Sequence, residues 1–467
     1  MRASLASSIA VTCAAVLALP VSLTAPAAAS TPPAAASALP PAPELPGSTQ
    51  SLPLEPLGAA TRALGGTTGS GEQGLTRRDV RPFSLVGVVW DDPTAPLHGT
   101  VQVRTRATGG GTWSAWQDVE THNEEHGADP DTAEGSTRAL RGSTAPLWVG
   151  DSDGVEIRVR GREALPAGLR LELVDPGESP AAAPERPASG EGAPRTRNAT
   201  APAAPAALTG MSAAEAAASA VNAQLAPYGA TWIPALSKEE TEREARNMPQ
   251  TQAAPAAPAA AAAKPYIGPQ PKIITRKGWG ADESIREKGF VYTSTIKAAF
   301  VHHSATGNNY TCSKAPTVLR SIYRYHVLSS GWRDLGYNFA IDKCGNIYEG
   351  RAGGIAKPVL GAHTLGFNTN SMGIAVLGTF TKSNPPAAVV TAVARLTAWK
   401  LGLHGVNPKG TSYLISGGGN LYKKGTKVRF NSIAGHRDGF ATECPGAHLY
   451  SKLGTARTSS AAYQGRP

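Results

Sequence analysis

Hydrophobic periodicity appears in two separate stretches of the chain, and its period differs between them. From about Val80 to Pro176 short runs alternate apolar and polar positions: Val101 and Val103 with Gln102 and Arg104, then Val155, Ile157 and Val159 with Glu156 and Arg158. A period of two puts one face of a strand in a core and the other in water. Runs at 83–90, 100–105, 112–119, 146–149, 154–159 and 169–174 predict about six strands without a helix, the pattern of a small antiparallel sandwich. After Pro271 the period changes. An apolar strand is predicted at 298–303, and Pro316 stands where the first turn of a helix tolerates proline. Val318, Leu319, Ile322 and His326 then recur at helical spacing until Gly331. Residues 337–342 and 347–349 read as a strand pair and 372–378 as a buried strand. A helix at 387–401 turns Val389, Val393, Leu396 and Trp399 inward. Alternating strands and helices predict an α/β domain, a mixed β-sheet covered by helices, preceded by the small all-β sandwich.

Composition fills in the intervals. The 467 residues include 51 Gly and 38 Pro. Ala, Pro, Gly and Ser dominate 30–78 and 177–265, and 253–263 is only Ala and Pro, so these stretches cannot bury enough apolar surface to offset chain entropy. The resulting division is a leader at 1–29, a disordered lead-in at 30–78, the β-sandwich at 79–176, an Ala/Pro-rich linker at 177–265 and the α/β domain at 266–467. Short helices are expected within the linker near 211–226 and 237–246. Residues 1–29 have the form of a secretory signal: Arg2, an apolar stretch broken by Pro20, and small residues ending at Ala29. Beyond them no run approaches the roughly 20 apolar residues of a membrane helix, so no integral membrane segment is expected.

The net charge of +10 is unevenly spread, with 25 Lys/Arg against 8 Asp/Glu in 266–467 and 20 against 27 before it. A basic α/β domain points to a polyanionic partner. Export makes nucleic acid a poor one and an anionic cell wall a good one, giving a secreted, wall-associated monomer. Cys13 falls within the leader, which leaves Cys312, Cys344 and Cys444. An odd number outside the cell leaves room for one disulfide and one thiol that is free, intermolecular or bound to metal.

His302 ends the first strand of the α/β domain, and His436 and Cys444 flank 437–443. Two imidazoles and a thiolate suit zinc, and three protein donors leave a fourth position for water. On spacing alone, a satisfied core histidine and a buried thiol explain these residues equally well. In the sandwich, Trp113 and Trp116 lie on opposite faces of a strand, where one exposed ring could stack on sugar, although a half-buried Trp is the commoner case. Asp129, Asp131, Asp151 and Asp153 lack a full calcium-loop pattern and fit turns better.

Eight ordered motifs decide the tie: T-R-K-G-W-G-A at 275–281, V-H-H-S at 301–304, G-W-R-D-L-G-Y-N-F at 331–339, G-N-I-Y-E-G-R at 345–351, G-A-H-T at 361–364, N-S-M-G-I at 370–374, G-H-R-D at 435–438 and T-E-C-P-G at 442–446. With them the α/β domain resembles the peptidoglycan recognition protein and type 2 zinc N-acetylmuramoyl-L-alanine amidase family, in a secreted actinobacterial form. The resemblance implies zinc on His302, His436 and Cys444, with His303 on the opposite face of its strand. It makes Tyr337 the residue that assists catalysis and Thr442 a second polar group beside the metal. It lines a muropeptide groove with His326, His363 and Asn368, and leaves Glu443 and the metal-bound water to compete for the proton transfer. By giving Cys444 to the metal it implies a Cys312–Cys344 disulfide, placed differently from that of the animal members. The implied reaction is hydrolysis of the amide between N-acetylmuramic acid and L-alanine in peptidoglycan. Members without catalysis typically lack the cysteine, so Cys444 and Tyr337 favour an enzyme over the alternative, a non-catalytic recognition module. A Lys- and Gly-rich insertion at 409–427 reads as an exposed basic hairpin facing anionic wall polymers. His448 reads as a surface residue rather than a competing ligand.

Overall fold

A computed structural model describes residues 47–57, 71–132, 135, 140–178, 231–247 and 266–467. The leader at 1–29 and the helix expected near 211–226 lie outside the described residues. The all-β part comprises β1 (Ser48–Pro53), β2 (Glu55–Pro56), β3 (Glu72–Trp90), β4 (Gly99–Ala107), β5 (Gln117–Val119), β6 (Gly142–Ser143), β7 (Leu147–Gly161) and β8 (Arg170–Asp175). Its pairing is antiparallel throughout, in the order β1-β8-β3-β7-β4-β5, with β2 and β6 added beside β3. The two runs read as separate strands at 146–149 and 154–159 are one strand, β7. Register shifts between β3 and β7 bend both, and the alternating residues Val101, Val103, Val155, Ile157 and Val159 share a core with Phe83, Val86, Val88, Leu171 and Leu173. Pairing begins at Ser48, inside the stretch read as lead-in. β1 closes the sheet edge against β8 through six residue pairs, because Gln50 and Leu52 are followed by no proline until Pro53.

The second part comprises β9 (Trp232–Ile233), α1 (Lys238–Asn247), β10 (Ile273–Ile274), α2 (Arg276–Trp279), β11 (Ala298–His303), α3 (Ala315–Arg324), β12 (Phe339–Ile341), β13 (Ile347–Glu349), β14 (Ser371–Val376), α4 (Ala387–Leu403), β15 (Thr411–Ile415), β16 (Lys427–Asn431), β17 (Ile433–Gly435), α5 (Ala447–Tyr450) and α6 (Leu453–Gln464). The order β17-β11-β14-β12-β13-β10-β9 mixes parallel and antiparallel neighbours. β11 and β14 are buried at every position, which is why they read as apolar runs rather than alternating ones. Helix α4 covers one face with Val389, Val393, Leu396 and Trp399. α3 covers the other with Val318, Leu319 and Ile322, and its axis continues as one wider turn from Tyr325 to Ser329. α1 and β9 fall in the stretch read as linker and fasten it to this domain: Thr241 Oγ1 accepts from the Gln270 amide at 2.9 Å, and β9 pairs with β10. Cys312 and Cys344 form a disulfide. Closing a loop of that separation stabilises by about 3–4 kcal/mol in the chain-entropy account.

The two parts share a core. Leu85, Val89, Trp148 and Val174 of the β part pack with Val318, Leu319, Ile322 and Tyr325. The Tyr325 hydroxyl donates within reach of the Thr144 carbonyl at 3.0 Å and the Val88 carbonyl at 3.3 Å, Ser329 donates to the buried Glu172 carboxylate at 2.9 Å, and the Trp148 amide donates to the Thr306 carbonyl at 3.1 Å. The described residues accordingly fall within one compact unit, Leu45–Pro467. Tyr325 approaches so closely that a Cβ added at Gly87 would lie 2.4 Å from its ring. Gly87→Ala is therefore expected to lower the denaturant midpoint of the chain, costing about 1–3 kcal/mol, and to do so in a single transition reported alike by β-part and α/β-part probes.

Candidate metal centre

The carboxyl ends of adjacent parallel strands are where open α/β sheets gather ligands, and here they gather three donors. His302 lies at the end of β11, the strand neighbouring β17, and His436 follows immediately after β17. Cys444 returns beneath them. Its Sγ takes the His303 amide at 3.4 Å, and its carbonyl accepts from the Arg437 amide at 3.0 Å, so the 437–443 turn closes on itself. All three donors are buried.

A fourth donor joins them that spacing did not reveal. His126, in the loop after β5, brings its Nε2 to 3.8 Å from Cys444 Sγ, while His302 Nδ1 lies 3.9 Å from the same sulfur. The donor atoms of His126, His302, His436 and Cys444 all lie within 4.8 Å of one another. Zinc–nitrogen and zinc–sulfur bonds of about 2.0–2.3 Å in a tetrahedron place donors roughly 3.5 Å apart, close to this spacing. The ring centroid of His126 is 4.5 Å from His436 and 5.3 Å from His302.

The chemistry of the four fits a cation. Among the described residues, neither ring nitrogen of His436 has a hydrogen-bond partner, and His126 Nδ1 has none either. The Glu125 carbonyl lies beside His436 but outside hydrogen-bond geometry. Leaving such atoms buried and unsatisfied costs about 1–3 kcal/mol each. Burial pushes His126 down to about 3 and His302 and His436 well below the ordinary imidazole value, which keeps their lone pairs free. The same burial drives the Cys444 thiol well up, so the thiolate needs a positive charge in immediate contact. His302 Nε2 meets Thr364 Oγ1 at 3.4 Å, an outer contact that leaves Nδ1 turned toward Cys444.

The other residues singled out from sequence are distributed unevenly. Tyr337 stands at the site, its ring 5.4 Å from His302 and 5.9 Å from His126, and burial keeps its phenol protonated. Thr442 is engaged: its hydroxyl donates to Glu125 at 2.7 Å and accepts from the Cys444 amide at 3.1 Å. His326 stacks on Trp332 at 4.2 Å and accepts from the Gly336 amide. His363 is fully buried between Thr364 and Ser371. Asn368 is fully buried as well. Its Oδ1 accepts from the His363 and Thr364 amides at 2.7 and 3.0 Å, and its Nδ2 donates to the Gly127 carbonyl at 2.8 Å and to Asp129 at 2.9 Å. These two do not line an open groove in this form.

Glu443 points outward to Arg437 at 3.6 Å, and the carboxylate that reaches the site is instead Glu125, raised to about 7 chiefly by burial. Asp129, read as a turn aspartate, accepts from the Gly366 amide at 2.6 Å. The insertion forms the β15–β16 hairpin, whose Leu414, Val428 and Phe430 pack beneath Phe300, while Lys424 pairs with Asp131. His303 Nδ1 lies near the Phe380 amide, outside the group of four donors, and His448 bonds Asn384. Trp113 and Trp116 lie under arginines: Arg77 and Arg104 on the first, Arg104 and Arg158 on the second.

Thr364→Val removes the outer contact of His302 without touching a donor. It is expected to weaken zinc binding by about 10–100-fold in a competitive chelator titration, with the fold intact by circular dichroism.

The chain is similar to known proteins in both of its parts. The N-acetylmuramoyl-L-alanine amidase family matches residues 292–447, and the Rv3811 N-terminal galactose-binding domain-like family matches 33–206. Peptidoglycan-recognition protein SC2 of Drosophila simulans is 31% identical over 185 residues, covering 39% of this chain and 85% of that protein. Protein SC1a of Drosophila melanogaster is 29% identical over 192 residues, covering 40% and 87%. Among solved structures, wild-type Drosophila PGRP-LB is 27% identical with a TM-score of 0.31, covering 39% of this chain and 92% of its own. Through its α/β domain, this chain belongs to the peptidoglycan recognition protein and N-acetylmuramoyl-L-alanine amidase family.

Proposed function

We propose that the protein is a secreted, zinc-dependent N-acetylmuramoyl-L-alanine amidase acting on bacterial peptidoglycan. The observation that carries this reading is the convergence of His302, His436 and Cys444, with both His436 ring nitrogens unpartnered. A buried thiol beside an imidazole with neither nitrogen partnered favours a metal-using enzyme over a recognition module. When bound there, zinc supplies Lewis-acid polarisation of the amide and activation of water at neutral pH.

The protein's own contribution is orientation and proton control. His302, fixed by Thr364, presents Nδ1. The turn from His436 to Cys444 is braced by the Arg437 amide and by Thr442, which holds the Cys444 amide. Tyr337, kept as a phenol by burial, has a proton to donate to the oxygen on which negative charge develops during attack on the amide. The leaving amine of L-alanine must take up a proton. Glu125 and Thr442 are the hydrogen-bonded pair nearest to the ligands, but each is occupied by the other in this form. The basic surface of residues 266–467 suits a polyanionic wall.

Digestion of purified peptidoglycan is expected to release free L-alanine amino termini from intact glycan strands. Chelation should abolish the release and added zinc restore it. Cys444→Ala is expected to lower the rate at least about 100-fold, and wall binding without release, in the intact chain and in His126→Ala alike, would return the site to a recognition role. Tyr337→Phe is expected to lower kcat by about 100–1,000-fold with zinc content unchanged, and unchanged turnover would remove Tyr337 from the chemistry.

A further inference from the structure

A catalytic zinc site keeps a coordination position open, whereas a site with four protein donors is closed. The amidase half supplies three donors, and the fourth comes from a different part of the fold. His126 lies in the loop between β5 and β6 of the β part, 176 residues before His302. We propose that His126 is a fourth zinc ligand supplied by the β part, and that it holds the amidase centre in a latent, closed form until the loop withdraws. This inference rests on the amidase reading above and concerns how that same site is regulated.

The loop is seated by bonds to the α/β part. Glu125 accepts from Thr442 at 2.7 Å, and its carbonyl accepts from the Leu365 amide at 2.9 Å. Asp129 takes the Gly366 amide, and Asn368 donates to Gly127 and Asp129. Asp131 pairs with Lys424 of the β15–β16 hairpin. Thr442 and Asn368, two residues that the resemblance assigned to catalysis and to the groove, thus donate their side-chain hydrogen bonds to the loop.

The remaining space is too small for substrate. The cavity beside the donors, lined by Glu120, Asn123, Glu125, His326, Tyr337 and Cys444 among others, measures about 40 Å³. That admits a few waters, while ligand pockets run to about 300–1,000 Å³. A wider cleft of about 610 Å³ between the two parts reaches Glu120, His122, His303 and Ala305, but its lining includes none of His302, His436 and Cys444. Substrate entering it meets the loop, not the metal.

The closure is local. The shared core around Tyr325 joins the two parts independently of the loop, so opening the site requires moving residues around 120–131 and not separating the domains. Minor open states of proteins are populated at about 0.1–10%, which sets a low basal rate for the closed form.

Cobalt(II) in place of zinc in the full chain tests this apart from turnover, because its visible bands report the donors and any exogenous ligand. Acetohydroxamate, a small metal-binding probe, is expected to leave the spectrum of the intact chain unchanged at concentrations that shift the bands of His126→Ala. Asp129→Ala, which unfastens the loop but keeps the imidazole, is expected to gain part of that response. In the peptidoglycan assay His126→Ala should exceed the intact chain tenfold or more. The closure is overturned if the intact chain binds acetohydroxamate as readily as the variant, if removing His126 leaves the spectrum unaltered, or if Asp129→Ala and His126→Ala both lose the metal. If His126→Ala opens spectroscopically yet releases no L-alanine termini, the closure stands and the amidase reading fails.

Discussion

Three imidazoles and a thiol, all buried, are held against one another at the end of a sheet, and three of the six ring nitrogens have no hydrogen-bond partner among the described residues. Folding alone does not reward this arrangement, because each bare nitrogen has lost its water and the thiol has been deprived of its ionised form. Every other local feature makes sense as support for it. The turn after β17 is braced so that His436 and Cys444 face the same point. Thr364 fixes one ring of His302, and the β part leans its loop into the gap. A single divalent cation would turn four desolvation penalties into four bonds, which explains how so polar a cluster sits inside so apolar a wall.

Much of this was legible in the sequence because the α/β half speaks in short ordered motifs. His302, His436 and Cys444 stand at motif positions, and the residues of β11 before His302 are all apolar, so the burial of that strand follows from composition. The helical spacing of Val318, Leu319 and Ile322 gave the right helix, and Gly331 its end. His126 was not legible. Glu125-His126-Gly127 sits in a polar, turn-like stretch with no periodicity, and nothing local marks a residue whose partners are 176 and more positions away. Asp129 shows the same limit: its residue type suits a turn, and only the tertiary fold gives it Gly366 and Asn368 as partners. The early edge strand at Ser48 escaped for a related reason, since one strand in a Pro-rich stretch acquires its order from β8 and not from its own pattern.

The location of Asn368 illustrates how one side chain can serve two masters. Its carbonyl shapes the His363–Thr364 turn, and through Thr364 it bears on His302. Its amide group is given to the β-part loop. One side chain thus joins the β-part loop to the turn that carries Thr364.

The core common to both parts has a practical consequence for anyone dissecting the chain. α3 turns Val318, Leu319, Ile322 and Tyr325 toward Leu85, Val89, Trp148 and Val174, and the Tyr325 hydroxyl finds its acceptors only on the β side. A fragment that keeps the amidase half alone would present this apolar face and an unpaired phenol to water. Such a face is a nucleus for self-association. The excised half would therefore be sticky before it was anything else, and its behaviour in solution would describe the wound rather than the intact protein.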